Sequence, residues 1–464
     1  MINIFTANGV NVMSKTVIII GGNGAGLSAA SQIKRLQPAW EMIVYEKGTH
    51  ISYAGCGMPY YIEGIIPRFA DLFELTPETV VKDRKIDLRL QHEVLALNPE
   101  QKELMVRTPA GTETVRFDTL LIATGAVPIL EGIRLGPPAQ PRRVFTLKSM
   151  DDMQEIAKFL DVQKPSRCAV IGGGYIAAEM LEAFKTRGLE THLVHRRDQL
   201  ANTFEPEISA LILQRMTKEG IVLNLQRAVQ ELLEEGDKVV VRTDSGDLFY
   251  DFVLIATGVQ PNTAFLRQSG IELGIKGAVV VNKSLQTNHP HIYAAGDCAQ
   301  TTSIITGRPV YVPLAPKANK EGYTAGTNIA GGRDEFPGIV ETAVTKFFDM
   351  GIARTGLTLD GALQHGFNAA KYTFSARSKA RYYPGGGEVY SAIVVNKDDG
   401  RFLGAQLTGP LDSMKRIDVY AVMIQQGVTV DEAFKLDLAY SPPFAPLYDP
   451  VILAARLGRN YVSR

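Results

Sequence analysis

The chain has 464 residues with 49 basic and 49 acidic side chains, so its charge cancels and it lacks the basic excess of a nucleic-acid or membrane-surface protein. With 45% hydrophobic and 21% charged residues it is a folded globule and no disordered chain, and its length predicts about two to four domains. Cys56, Cys168 and Cys298 are too few and too scattered for a disulfide framework or a cysteine-rich zinc site, so no metal is expected and a reducing, cytoplasmic setting is the default.

No apolar run reaches the roughly 18 residues of a membrane-spanning helix. The first residues lack the basic start and apolar core of a signal peptide. Met13 stands just before the first strong strand, so residues 1–12 read as an alternative start or a remnant, and residues 1–13 as a loosely ordered extension.

Val17–Ile20 reads as a buried parallel strand, apolar on both faces. Gly21-Gly22-Asn23-Gly24-Ala25-Gly26 follows, then a helical pattern through Leu36 and a second strand, Met42–Tyr45, that ends at Glu46. This is a βαβ dinucleotide-binding layout, with its acid twenty positions past the last glycine. The glycines Gly21, Gly22, Gly24 and Gly26 allow a tight turn and let a phosphate approach backbone at a helix N-terminus. Glu46, followed by Lys47, can accept hydrogen bonds from ribose hydroxyls. Asn23 stands where the motif's second glycine is usual. A lone glycine run would signify only a tight strand-to-helix turn. The register of strand, helix, strand and acid makes the signal specific.

The layout recurs at Cys168–Ile171, Gly172-Gly173-Gly174-Tyr175-Ile176-Ala177, a helix to about Gly188 and a strand Thr191–Val194. Gly21 and Gly172 lie 151 positions apart, too far for a short tandem repeat, so two separate nucleotide domains are expected. No carboxylate ends this second unit. His195, Arg196 and Arg197 stand there instead and would attract a 2′-phosphate, which favours NADPH over NADH, against the plainer reading of a solvated turn. Leu120–Ile122 and Val253–Ile255 each run into Ala-Thr-Gly, ending at Gly125 and Gly258, and Ile292–Ala295 runs into Gly296-Asp297. The Pro-rich stretch 136–141 marks the crossover between the units, and the later Gly-Asp strand suggests a return to the first. Beyond Gly331-Gly332 no glycine fingerprint appears, and strands at Ala392–Val395 and Phe402–Gln406 indicate a separate α+β domain.

An N-terminal dinucleotide unit with its acid, a second unit inserted between two Ala-Thr-Gly strands, and a late Ala-Gly-Asp together resemble the FAD-dependent pyridine nucleotide–disulfide oxidoreductase superfamily across essentially the whole chain. The resemblance implies an α/β fold with two Rossmann-like domains, one for FAD and one for NAD(P)H, plus a C-terminal α+β dimerisation domain. It implies the order 14–149 for the first part of the FAD domain, 150–262 for NAD(P)H, 263–336 for the second FAD part and 337–464 for dimerisation. Gly21–Glu46 would hold FAD, with Thr124, Gly125, Gly258, Gly296 and Asp297 around the flavin. Gly172, Gly174, Tyr175, Ile176 and His195–Arg197 would hold NADPH or NADH, with Glu179 near the nicotinamide.

Ser52-Tyr53-Ala54-Gly55-Cys56-Gly57-Met58-Pro59-Tyr60-Tyr61 has one cysteine, and the position five later is Tyr61, so no redox disulfide can form at that spacing. The Ser-x-x-x-Cys-Gly-x-Pro-Tyr pattern is similar to the single-cysteine branch typified by coenzyme A disulfide reductase, whose relatives include CoA-persulfide and polysulfide reductases and NADH oxidases. The oxidases carry a histidine in the first glycine motif, and Gly21–Gly26 holds none. Gly55 departs from the asparagine usual before the cysteine in CoA disulfide reductases. Ala439-Tyr440-Ser441-Pro442-Pro443-Phe444 and Arg381-Tyr382-Tyr383-Pro384 resemble the two tyrosine segments of the branch, with Tyr382 favoured over Tyr383.

The resemblance implies that NADPH reduces the flavin, which reduces a mixed disulfide between Cys56 and CoA. The freed Cys56 thiolate would attack the next disulfide, with Ser52 beside it and the partner's Tyr440 and Tyr382 serving the leaving thiolate. A helix beginning near Gly57 is expected to lower the Cys56 pKa. Lys34, Arg35 and Arg68 are the nearest basic candidates in sequence for CoA phosphates, although a solvated helix face explains Lys34 and Arg35 equally well. Two other readings stay open. One is an NAD(P)H oxidase working through a Cys56 sulfenic acid; the other is a flavin-binding interaction protein with incidental redox activity.

Overall fold

The computed structural model describes residues 15–137, 141–200 and 202–462, and further upstream only the paired backbones of Ile4–Phe5 and Asn11–Val12. The rest of the expected loose extension at 1–13, and residues 138–140 of the expected crossover, lie outside the described residues. Helix α1 (Gly24–Leu36) follows the first glycine loop and α2 (Met58–Glu63) the Cys56 segment. Helices α3 (Met150–Gln163), α4 (Tyr175–Thr186) and α5 (Pro206–Lys218) belong to the second unit, and α6 (Ala315–Ile329) returns to pack on α1.

Strand Thr16–Ile20 is apolar on both faces because it lies centrally in a five-stranded parallel sheet, with Val17, Ile18 and Ile19 fully buried. The sheet order is Ile292–Ala294, Thr119–Ile122, Thr16–Ile20, Glu41–Glu46, Asp87–Leu90. The second sheet repeats this plan with Val144–Phe145, Phe252–Ile255, Arg167–Ile171, Glu190–Val194 and Val222–Asn224. In both, the strand that enters the glycine loop is central, and the strand ending in Ala-Thr-Gly lies beside it. Each sheet has a companion with three antiparallel strands, Glu93–Arg116 in one and Val229–Tyr250 in the other, the second extended by Arg134–Leu135 pairing parallel to its first strand.

The units are joined where the chain crosses twice. Ala126–Pro128 pairs antiparallel with Val259–Pro261, directly after the two Ala-Thr-Gly ends. A third sheet, antiparallel throughout, orders Ala343–Phe347, Met350–Gly356, Phe402–Pro410, Glu388–Asn396 and Ala369–Arg377 and packs on helix Ile417–Gln425. Buried polar ties fix the second unit to this domain. Glu182 pairs with Lys346 and accepts from the Phe348 amide at 2.8 Å, and Glu205 pairs with Lys371 at 2.9 Å and accepts from the Leu359 amide at 2.6 Å. Among the described residues no helix is long and apolar enough to cross a membrane.

Asp251 anchors the second sheet by accepting from the amides of Ser166 at 2.7 Å and Arg167 at 2.9 Å. Burial would raise its pKa, but bonds from Lys238, Arg167 and Ser166 outweigh this and hold it at about 2. A depressed carboxyl stabilises the fold above its unfolded value and loses that contribution as pH falls toward the folded value. Asp251→Asn should therefore cost about 2 kcal/mol at neutral pH. In urea unfolding from neutral pH downward, the gap to the parent should close between about pH 4 and 2. A gap that stays constant with pH would refute this assignment.

Candidate active site

Gly21 adopts φ +113°, and a Cβ there would fall 2.2 Å from the Ala123 carbonyl oxygen. Gly172 repeats the arrangement at φ +132°, 2.1 Å from the Ala256 carbonyl. At Gly26 a Cβ would strike the Gly21 carbonyl at 1.9 Å, whereas at Gly24 it would meet nothing within 4 Å. The loop is thus closed against its own sheet and open at the N-terminus of α1, a cradle that fits a pyrophosphate. Asn23 is tolerated because it has the extended backbone of a helix N-cap, φ −120°. Glu46 braces the loop, accepting from the amides of Gly22 at 2.9 Å and Gly48 at 2.8 Å. Each oxygen keeps a second lone pair for a ribose hydroxyl. Lys47 is exposed beside it.

The same loop positions the cysteine. Ile51 lies where a Gly22 Cβ would be, 2.7 Å from its Cγ2. Ser52 is held at φ +51° by its amide's 3.1 Å bond to the Gly22 carbonyl and by the Glu74 amide, which donates 3.0 Å to the Ser52 carbonyl. Cys56 follows in the turn Gly55–Gly57 and is the exposed one of the three free cysteines. The expected lowering of its pKa is corrected by the structure. Burial, then the Glu179 carboxylate, push the thiol up, Lys148 pulls it down, and Asp297 raises it again. Helix α2 has only six residues, and the nearby amide of Gly57 is already bonded to Ala54 at 2.8 Å, so little helix-end charge faces the sulfur.

These perturbations show which residues the fold gathers. Glu179, on α4, accepts 2.7 Å from Thr345 of the third domain and is raised chiefly by burial. Asp297 lies 3.4 Å from Lys148, just before α3. Tyr60, one turn past Cys56, is pushed up to about 12 by burial, then by Glu179. Lys148 and Thr345 escaped sequence reasoning because no motif surrounds them; Tyr60 stood inside the cysteine motif. Thr124 acts as a strut: its hydroxyl donates 2.8 Å to the Asn262 carbonyl, and the Asn262 amide returns 3.0 Å to Gly125. Gly258 likewise accepts from the Ile129 amide at 3.0 Å, and Gly296, at φ +83°, is buried.

In the second loop Gly174 is open like Gly24, and Ile176 is exposed. Tyr175 is packed edge-on against Phe204, 5.5 Å between centroids. His195 takes the place of Glu46, its ring against Gly173, where a Cβ would come within 2.9 Å of Cε1. Burial lowers its pKa, and Arg197 and Arg196 lower it further, so at neutral pH the positive charge of the trio is that of the two arginines. Arg196 is exposed and Arg197 half-buried, and among the described residues neither has a carboxylate partner.

Tyr382 and Tyr440, 58 positions apart, are brought together with hydroxyls 3.3 Å apart. They are 75% and 48% exposed beside Phe444 and Leu447, both 75% exposed, so the pair stands on an outward apolar surface of the third domain. The Lys34 ammonium is bonded to the carbonyls of Pro38 at 2.8 Å and Trp40 at 3.0 Å, in the segment that follows α1. Arg35 remains exposed, bonded to Gln32 at 2.6 Å, on the face that carries Ser28 and Ser31. Arg84 reaches Ser31 from another segment, which no sequence spacing announced. Arg68 is exposed and paired with Asp71.

Comparison with known proteins agrees with this geometry. Residues 15–322 match the pyridine nucleotide-disulphide oxidoreductase family and residues 342–449 its dimerisation domain. The NAD(P)H coenzyme A polysulfide/persulfide reductase of Pyrococcus horikoshii is 40% identical over 449 residues, 96% of this chain and 98% of the relative. The NADH oxidase of Methanocaldococcus jannaschii is 32% identical, covering 94% of this chain and 97% of the relative. The structure of reduced Bacillus anthracis CoADR-RHD superposes with a TM-score of 0.91 at 33% identity, over 97% of this chain and 80% of that one. The chain belongs to the pyridine nucleotide-disulphide oxidoreductase family.

Proposed function

We propose that the chain is an NAD(P)H-dependent flavoprotein that reduces CoA disulfide, CoA persulfide or polysulfide through Cys56, as a homodimer. One observation carries this reading. A single exposed cysteine, with no second thiol in reach, lies with Glu179, Lys148 and Asp297 at the end of a loop braced by the first dinucleotide cradle. FAD fits 14–149 with 263–336, NAD(P)H fits 150–262, and 337–464 supplies the dimer contact.

FAD held by Gly21–Glu46 and Asp297 would supply two-electron transfer between NAD(P)H and a disulfide on Cys56. The chain's residues do the rest. The Cys56 thiolate attacks a CoA disulfide, forming a Cys56–CoA mixed disulfide and expelling one CoA thiolate, which takes up a proton. Two-electron reduction of the mixed disulfide frees Cys56 and the second CoA. The partner's Tyr440 and Tyr382 are the proton donors to the expelled sulfur, which explains why their paired hydroxyls stand on an exposed apolar face. Arg35 lies about 16 Å along α1 from Gly24, a distance suited to the phosphates of a long substrate. Arg68, paired with Asp71, and Lys34, bonded to the carbonyls of Pro38 and Trp40, would each have to give up those partners to bind a phosphate.

NADPH is the preferred reductant in this reading, since Arg196 and Arg197 have no carboxylate partner and no acid ends the strand at His195. Replacing both arginines by alanine should lower kcat/KM for NADPH about tenfold to a hundredfold and leave NADH nearly unchanged. Equal losses for both cofactors would refute the selectivity reading.

Steady-state oxidation of NADPH under anaerobic conditions, with CoA disulfide, CoA persulfide, polysulfide and glutathione disulfide in parallel and then oxygen alone, tests the substrate. Turnover with oxygen and none with any CoA species would favour the oxidase reading instead, which the Methanocaldococcus relative makes the one to exclude. Cys56→Ser should abolish turnover with CoA species and remove a reductant-labile CoA adduct seen by mass spectrometry of the protein as isolated. Tyr440→Phe should slow disulfide turnover about a hundredfold while the flavin is still reduced by NADPH. An unaffected Cys56→Ser enzyme would sink the mechanism.

A further inference from the structure

Lys317 and Glu321, one turn apart at the start of α6, form an ion pair of 2.9 Å whose side chains are only 2% and 1% exposed. Burying two charges is costly, and Lys317 sits near the positive end of its own helix, so the pair depends on its other hydrogen bonds. Glu321 Oε1 is buried without a partner. The bonds that are made go to the turn that begins at Gly296. Lys317 donates to the carbonyls of Gly296 at 2.9 Å and Ala299 at 3.3 Å, and Glu321 accepts from the Gly296 amide at 2.9 Å. The pair thus grips Gly296 by its amide and its carbonyl. Gly296 is pressed against α1, where a Cβ would lie 2.9 Å from that of Ala25, and Asp297, next in the chain, meets Lys148. At Gly322, the residue after Glu321, a Cβ would fall 2.2 Å from the Ala25 carbonyl, so the pair and the glycine cradle sit on two helices in direct contact.

We propose that Lys317 and Glu321 are positioning residues that hold the Gly296–Asp297 turn against the first turn of α1 and, through their balanced charges, set the reduction potential of the flavin. The proposal rests on the reading of Gly21–Glu46 and Asp297 as the FAD site. An apolar pair of similar volume could fill the space but could not bond both polar atoms of Gly296.

The test uses the full-length holoenzyme with Lys317→Met, Glu321→Gln and the double variant Lys317→Met/Glu321→Leu, and reads FAD dissociation and the flavin midpoint potential. Lys317→Met leaves the Gly296 carbonyl without its donor and the carboxylate without its countercharge. FAD should dissociate at least about tenfold more readily, and the potential should fall. Glu321→Gln keeps an acceptor for the Gly296 amide and leaves the ammonium unbalanced, which favours the more negative reduced flavin, so the potential should rise. Shifts of opposite sign are a signature that loss of packing would not produce. Wild-type dissociation and potential in both variants, whatever their melting temperatures, would overturn the proposal. Should a single variant fail to fold, the apolar double variant decides: weaker FAD binding supports the clamp, and wild-type affinity overturns it. A parent protein that neither retains nor takes up FAD would instead refute the underlying site reading.

Discussion

The approach of a glycine to the carbonyl at the end of the neighbouring parallel strand governs both dinucleotide units. At Gly21 and Gly172 there is no room for a single additional carbon against Ala123 and Ala256. That closeness lets the helix start directly over the sheet's end and turn its free amides outward. In the first unit the consequences run further. Gly22, braced by Glu46, receives Ile51 and bonds Ser52, and Ser52 sets the course of the chain into Cys56. The Cys56 sulfur is therefore placed by the same glycines that shape the first strand-to-helix loop, and a change in the loop would be felt at the thiol.

The charges around Cys56 oppose one another. Burial and the Glu179 and Asp297 carboxylates favour the neutral thiol, and Lys148 is the opposing charge. Neutral thiols react slowly with disulfides and oxidants. Glu179 is in turn held by Thr345 of the third domain and is itself raised, so the carboxyl beside the sulfur can carry a proton more readily than an exposed one.

Much of the fold was legible because strand, glycine loop, helix and strand lie contiguously, and buried parallel strands are apolar on both faces. Gly21, Gly172 and Glu46 were singled out by local spacing, and Cys56 by the resemblance of its segment to a family motif. What escaped was whatever joins distant segments. Lys148 meets Asp297 across 149 positions and Thr345 meets Glu179 across 166, contacts that only the folded chain creates. The Cys56 pKa was misjudged for a related reason: helix-end charge is a local feature, whereas the burial and carboxylates that outweigh it come from other elements. The bonds of Lys34 to the Pro38 and Trp40 carbonyls were equally out of view, since they depend on how the chain turns after α1.

His195 fills the space over Gly173 that Glu46 occupies over Gly22, but it makes no side-chain bond to the loop as Glu46 does. The second unit is secured elsewhere, through Glu182, Glu205 and Asp251. The side chains at this strand end thus brace no glycine loop, although its backbone is bonded to Asn224, Gln226 and Arg227. Exchange of the Arg196 and Arg197 side chains would leave the contacts made by Glu182, Glu205 and Asp251 in place, so the second unit can change its surface charge at this point without loosening its hold on the rest of the chain.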